Sequence, residues 1–255
     1  MSPDHFKGRH ALVTGGGRGI GRAIARALTL RGASVTILGR DRVALERAVA
    51  EDVAHGFVTA DVTRREDVRR AVAEAVAQRG AVDLLVANAG GAASAPFAST
   101  GEDLFREMLD VNLMGVVNAV QAVLAPMTER GYGRVVAVAS TAGLKGYAYV
   151  SAYCAAKHAV IGLVRSLAIE TARTGVTVNA VCPGYTDTDL TEASLGRIAA
   201  RTGRPRDAVL HEILRPNPQG RLVHPDEVAD AVLWLCGAKA GAVTGQAIAV
   251  AGGEV

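Results

Sequence analysis

Only three cysteines occur in the 255 residues, Cys154, Cys182 and Cys236, far apart and with no C-x-x-C pair. That spacing excludes a disulfide framework and a thiolate zinc site, and apolar surroundings make each read as a small buried hydrophobe. Aromatic residues are scarce too, 4% of the chain, with no grouping that could serve as a base-stacking platform. Charge of one sign is missing: the net charge is +3 with both signs interspersed, too mild for a nucleic-acid partner or a membrane surface. The first ten residues hold no apolar core for a signal peptide, and no uncharged apolar run reads as a bilayer span. No His/Asp/Glu cluster suggests a metal site, and there is no internal repeat, linker or low-complexity tract. The expectation is a soluble, cytoplasmic protein. At 49% hydrophobic and 21% charged, residues 1–255 can bury a substantial core as one domain.

What is present is an alternation. Ala11-Leu12-Val13 is a short strand running into Thr14-Gly15-Gly16-Gly17-Arg18-Gly19-Ile20-Gly21. Ile20, Ala23, Ile24, Ala27 and Leu28 then recur at helical spacing up to the stop at Arg31-Gly32. Strand, glycine turn, helix is the setting of a phosphate-binding turn: glycines let the backbone approach a diphosphate, and a helix N-terminus offers free N–H groups and a favourable dipole. The order here is G-x-x-x-G-x-G rather than G-x-G-x-x-G.

Residues 34–38 form the second strand, which ends in Gly39-Arg40-Asp41-Arg42. In a dinucleotide fold this end faces the adenosine ribose, where an acidic residue binds the 2′-OH of NAD and arginine suits the 2′-phosphate of NADP. Gly39 stands where the acid is expected, with Arg40 beside it and Arg18 able to approach the same phosphate. NADP(H) is therefore expected over NAD(H). Asp41 reads as the N-cap of a helix over 42–53.

Further strands are expected at 56–60, 82–86, 135–139, 176–181 and 247–250, and helices at about 65–79, 102–129, 151–173 and 226–236. This rhythm predicts an α/β fold, a doubly wound parallel sheet built from right-handed βαβ crossovers. Ligands of such sheets bind beyond the carboxyl ends of the strands. Gly15, Arg40, Asp61, Asn88, Ser140 and Pro183 all lie at or just past such ends. Between Thr186 and about Leu222 the rhythm breaks. The segment is long for a plain connection and is expected to be an active-site lid with two short helices.

The stretch Ser140 to Lys157 carries the chemistry. Tyr153 and Lys157, four apart in an Ala-rich helical segment, share one helix face, and Ser140 closes the apolar run before it. A hydroxyl at a strand end can thus meet a Tyr–Lys pair.

With these residues in view, the chain resembles a short-chain dehydrogenase/reductase over essentially its whole length. T-G-G-G-R-G-I-G, with Gly15, Arg18, Gly19, Ile20 and Gly21, is similar to that family's cofactor turn. Asp61-Val62 resembles its adenine-contact pair, and Asn88-Ala89-Gly90 its N-A-G element. Asn112, Ser140, Tyr153 and Lys157 fall on its catalytic tetrad, with the usual thirteen residues from Ser140 to Tyr153. Pro183-Gly184, Thr186 and Thr188 lie in its P-G-x-x-x-T region, whose final threonine contacts the nicotinamide amide. Ala87, Ala139 and Ala251 depart from the pattern without removing a catalytic group, and Ala87 is expected to loosen packing at the central strand.

The resemblance implies a single-domain Rossmann-type enzyme with a helical substrate lid, transferring a hydride between NADP(H) and a ketone or secondary alcohol. Tyr153 would act as general acid, Ser140 as a donor to the substrate oxygen, Lys157 as a ligand of the nicotinamide ribose, and Asn112 as the holder of a proton-relay water. One fixed charge at ~4 Å with an effective dielectric of ~20 is worth ~4 kcal/mol, roughly three pKa units. Lys157 alone is thus expected to bring Tyr153 near neutrality. His158 points to another face of the helix and reads as structural or surface. Arg197, Arg201, Arg204, Arg206, Arg215 and Arg221 outnumber Glu192, Asp207 and Glu212 along the lid. A basic lid suits the phosphates of a CoA thioester or an acyl carrier protein, and equally an ordinary solvated face. Similarity over 175–188 and the lid to polyketide ketoreductases and acetoacetyl-CoA reductases points to a 3-oxoacyl thioester. A small free ketone, sugar or cyclic alcohol is the alternative, with a catalytically silent scaffold subunit behind it. The family's habit implies a homotetramer, or a dimer, through the helices at 102–129 and 151–173.

Overall fold

The computed structural model describes residues 5–255. Its centre is a seven-stranded parallel sheet in the order β3-β2-β1-β4-β5-β6-β7. The strands are β1 (His10–Thr14), β2 (Ser34–Gly39), β3 (Gly56–Thr59), β4 (Leu84–Ala87), β5 (Gly133–Val138), β6 (Val176–Pro183) and β7 (Ala247–Val250). They read as continuous apolar runs because both faces are covered, so successive side chains serve opposite cores. Leu12, Leu85, Val135 and Ala137 face one helical layer, made by α3 (Arg65–Arg79), α5 (Gly115–Glu129) and α6 (Ser151–Thr171). Val13, Val86, Val136 and Val138 face the other, made by α1 (Gly19–Thr29), α2 (Arg42–Ala50) and α9 (Pro225–Cys236). Each fully buried Leu, Ile or Val contributes about 1.5–3 kcal/mol by leaving water.

Register lines the strand ends up on one edge. Thr14 pairs with Leu38 and Ala87, Ala87 with Ala137, Ala137 with Ala180, and Ala180 with Ala247. The expected loosening at Ala87 does not occur: it is 1% exposed. The neighbouring Asn88 bridges the strands instead, its side-chain amide donating to the carbonyls of Thr14 (3.0 Å) and Gly15 (3.3 Å), while Thr14 Oγ1 accepts from the backbone N–H groups of Asn88 and Ala89.

Two features depart from the expected elements, and the lid follows them. The helix expected over 102–129 is α4 (Glu102–Leu109) and α5 joined by a π-turn at Asp110–Met114, a one-residue widening that hydrophobic spacing does not reveal. Val111 to Thr128 is in fact uncharged, and this helix and α6 are long and apolar enough to cross a bilayer. In the fold each lays one face on the sheet, with Val116, Ala119, Val120 and Val123 of α5 and Val160, Ile161 and Val164 of α6 in the core. Finally, the lid begins and ends at a bridge between Thr186 and Val223, with α7 (Asp189–Thr202) and α8 (Arg206–Leu214) between them. The Asp187 N–H donates to the Val223 carbonyl at 2.9 Å, and the Val223 N–H to the Tyr185 carbonyl at 2.8 Å.

Candidate active site

A cavity of about 650 Å³ opens along the carboxyl edge of the sheet, roofed by the lid. One half is built by the glycine turn. Helix α1 has no side-chain cap, so its first N–H groups are left for a ligand. Gly21 is required by crowding: a Cβ there would lie 2.3 Å from the Gly15 carbonyl oxygen and 2.4 Å from the Asn88 amide nitrogen. Gly15, Arg18, Gly19, Ile20, Asn88, Ala89 and Gly90 line the same space. Free helix donors, glycine cradle and nearby arginines are a donor set that fits the diphosphate of a dinucleotide.

The other half is built by the chain after β5 and the start of α6. Ser140 follows β5 in extended backbone, and its Oγ accepts from the Ala142 N–H at 3.1 Å, starting a short turn at Thr141–Gly143. Tyr153 and Lys157 enter from the first turns of α6. Lys157 is 4% exposed, and its ammonium donates to the Val138 carbonyl oxygen at 2.9 Å. Its nitrogen stands 5.6 Å from the centre of the Tyr153 ring. Burial pushes the Tyr153 phenol up to about 12, opposed by a hydrogen bond from Ser140, and burial pulls Lys157 down to about 8. The expectation that Lys157 would bring Tyr153 near neutrality is therefore overturned. The assumed ~4 Å charge is turned towards a backbone carbonyl, and desolvation disfavours both charged forms.

Asn112 sits in the π-turn, fully buried, with both ends of its amide engaged. Its nitrogen donates to the carbonyls of Gly91 (2.9 Å) and Met108 (3.0 Å), and its oxygen accepts from the Gly91 N–H at 3.2 Å. It fixes the loop after β4 beside Lys157. Pro183, Gly184, Thr186 and Thr188 complete the wall. The Thr188 hydroxyl caps α7 by accepting from the Thr191 N–H, and its methyl abuts Gly19. His158 is exposed and bonds the Cys154 carbonyl, a structural role as expected.

Three expected cofactor residues stand off the main cavity. Arg40, 72% exposed at the side chain, lies 3.7 Å from Asp61, whose other oxygen accepts from the Thr63 N–H and hydroxyl. Val62 is buried, and its carbonyl accepts from the Asn118 amide. Arg18 pairs with Asp41, which also caps α2 as expected. The lid is less basic than its composition: Arg204 pairs with Glu212, Arg206 with Glu192 and Arg221 with Glu227. Among the described residues Arg197, Arg201 and Arg215 have no carboxylate partner, and Arg197 lines the cavity. Sequence reasoning missed Tyr147, Tyr185 and Leu190, also in the wall. Nothing in their spacing marks them.

A family model described as short chain dehydrogenase matches residues 9–197. The chain is 38% identical over 249 residues to a putative ketoacyl reductase of Streptomyces coelicolor, covering 95% of each. It is 38% identical over 250 residues to an acetoacetyl-CoA reductase of Rhizobium meliloti, covering 96% of this chain and 98% of that protein. Among solved structures, a variant of actinorhodin polyketide ketoreductase with NADPH superposes with a TM-score of 0.92 at 36% identity, covering 100% of this chain and 99% of that one.

Proposed function

The chain belongs to the short-chain dehydrogenase family, and we propose that within it this enzyme reduces a 3-oxoacyl thioester with NADPH. It is an oxidoreductase that transfers a hydride between a nicotinamide cofactor and a ketone or secondary alcohol. The observation that carries the reading is the meeting of Ser140, Tyr153 and Lys157 in one cavity with the uncapped N-terminus of α1.

The nicotinamide supplies the hydride when bound. The chain's residues manage the oxygen that becomes an alkoxide. Tyr153 holds its proton firmly in the resting site and donates it to that oxygen, which suits the reductive direction. Ser140 donates a hydrogen bond to the same atom. Lys157, fastened at Val138, holds a positive charge beside both and has further ammonium protons for a ribose hydroxyl. Asn112 ties the Gly91 backbone in place beside them.

Two arginines support NADPH: Arg18 on the cavity wall and Arg40 at the end of β2. Support for the thioester comes from the relatives' activities and from Arg197, which lines the cavity from the lid, has no carboxylate partner among the described residues and suits a phosphate. A homotetramer is the assembly that suits the outer faces of α5 and α6, where Ile169 is 81% exposed.

The test is NADPH oxidation on acetoacetyl-CoA, beside NADH and beside a simple cyclic ketone. Turnover of the thioester with NADPH, lost in Tyr153→Phe, is expected. Activity on the free ketone alone would remove the thioester and keep the enzyme class.

A further inference from the structure

The segment that follows β7 returns to the cleft. Glu254 carries its carboxylate side chain at 2% exposure, a burial that a charge sustains only with partners. It has two. The Lys145 ammonium lies 3.1 Å from Oε1 and donates to the Glu254 main-chain carbonyl at 3.1 Å, and the Tyr147 phenol donates to the same Oε1. A carboxylate only accepts and a phenol has one proton. The 2.7 Å contact between the Tyr147 and Thr141 hydroxyls therefore has Thr141 donating. The relay runs from Thr141 through Tyr147 to Glu254, and it starts at the residue next to Ser140. Tyr147 is itself part of the cavity wall, standing edge-on to Tyr185 with ring centres 6.4 Å apart.

The same segment reaches the lid. Gly252, at φ +62, is pressed so closely on Asn217 that a Cβ would lie 2.2 Å from its side-chain oxygen, and Gly253 lies against Pro218. Asn217 braces the lid exit, donating to the Arg221 carbonyl at 2.9 Å and accepting from the Gln219 N–H at 2.8 Å. One short segment thus touches the Tyr147 wall of the cleft and the exit of the lid.

We propose that Glu254 is a positioning residue for the substrate: its buried carboxylate, held between Lys145 and Tyr147, fixes the Tyr147 wall beside Ser140 and couples it to the lid exit. This rests on the reading of the cleft as the ketone site. Removing the carboxylate leaves a half-buried ammonium and a phenol without their acceptor, so the turn at 141–147 loses its tie while the sheet keeps its own.

The test combines amide hydrogen exchange with steady-state kinetics on the full chain for wild type, E254A, E254Q and Y147F. In E254A the amides of 141–149 are expected to exchange roughly tenfold faster, with those of β1 and β4 unchanged. KM for the ketone is expected to rise roughly tenfold at a kcat within about twofold. E254Q keeps an oxygen for Tyr147 and is expected to recover most of the protection. Unaltered exchange over 141–149 in E254A overturns the proposal, whether or not any ketone has been found to turn over. Equal acceleration in β1 and β4 also overturns it, since Glu254 would then serve the whole fold. A wild type inactive on every ketone counts against the reductase reading, and the exchange result still decides the role of Glu254. If E254A does not fold, the same two readouts on Y147F decide.

Discussion

The Lys157 ammonium donates a hydrogen bond to the Val138 carbonyl oxygen at 2.9 Å, which fastens the helix bearing Tyr153 to the strand end bearing Ser140. The alignment of Tyr153 with Ser140 therefore depends on a buried cation that no carboxylate neutralises among the described residues. Burying such a group costs stability, a cost that function can maintain.

Replacing that cation should separate stability from activity. Lys157→Met is expected to raise stability by about 1–4 kcal/mol, since an apolar chain of similar length takes the place of a desolvated charge. Turnover should be lost. Urea unfolding followed by tryptophan fluorescence measures the first and NADPH oxidation the second. A destabilised Met variant would show that the Val138 bond outweighs desolvation.

The same residue sets a pH dependence of stability. Its folded pKa of about 8 lies below its ordinary 10.5, so the unfolded chain binds more protons in that window. Stability from this group rises with pH between about 8 and 10.5 and is lowest and flat below 8. The wild-type-minus-Met difference in unfolding free energy, measured across this range, should shrink as pH climbs.

Tyr153→Phe removes the proton donor but keeps the ring. Turnover should fall by about 10²–10⁴-fold with NADPH binding retained, measured by nucleotide fluorescence. Because burial holds the phenol up near 12, ketone reduction in the wild type should show no loss from Tyr153 between pH 6 and pH 9. Alcohol oxidation, which needs the phenolate, should climb through that range. Parallel profiles in the two directions would contradict the assigned roles.

Arg18 and Arg40 are exposed and already paired, with Asp41 and Asp61 respectively, so a 2′-phosphate must compete with two carboxylates. Each arginine changed to Ala is expected to weaken NADPH binding roughly tenfold while leaving NADH nearly unaffected. Asp41→Asn, which keeps an oxygen for the helix cap, should strengthen NADPH binding. Nucleotide titrations at two salt concentrations measure all three variants. No change in the NADPH-to-NADH ratio in either arginine variant would place discrimination elsewhere.

Much of this was legible beforehand, for a physical reason. A parallel sheet buried on both faces writes its strands as runs such as Val135 to Ala139, and the strand ends then mark the edge where Gly15, Asn88, Ser140 and Pro183 gather. Asn88, Ser140, Tyr153 and Lys157 were found because spacing along a strand end or a helix face converts directly into proximity. What was not legible depends on partners distant in sequence. The pKa of Tyr153 follows from desolvation by the assembled cavity, and Arg18 meets Asp41 only when two loops fold together. The π-turn at Asn112 adds a residue without disturbing composition. Glu254 reads as one more surface acid until the fold buries it against Lys145.

The bridge between Thr186 and Val223 bears on how this fold diversifies. Both ends of the lid are pinned side by side, so the excursion between them is a closed detour from the sheet's point of view. Lengthening such a detour adds only about 0.6 kcal/mol of closure entropy per doubling. The lid is thus a cassette: another covering of different length or charge can be spliced between the same two anchors. Ser140 beyond β5 and Tyr153 and Lys157 on α6 would keep their register while the molecule acquired a different appetite.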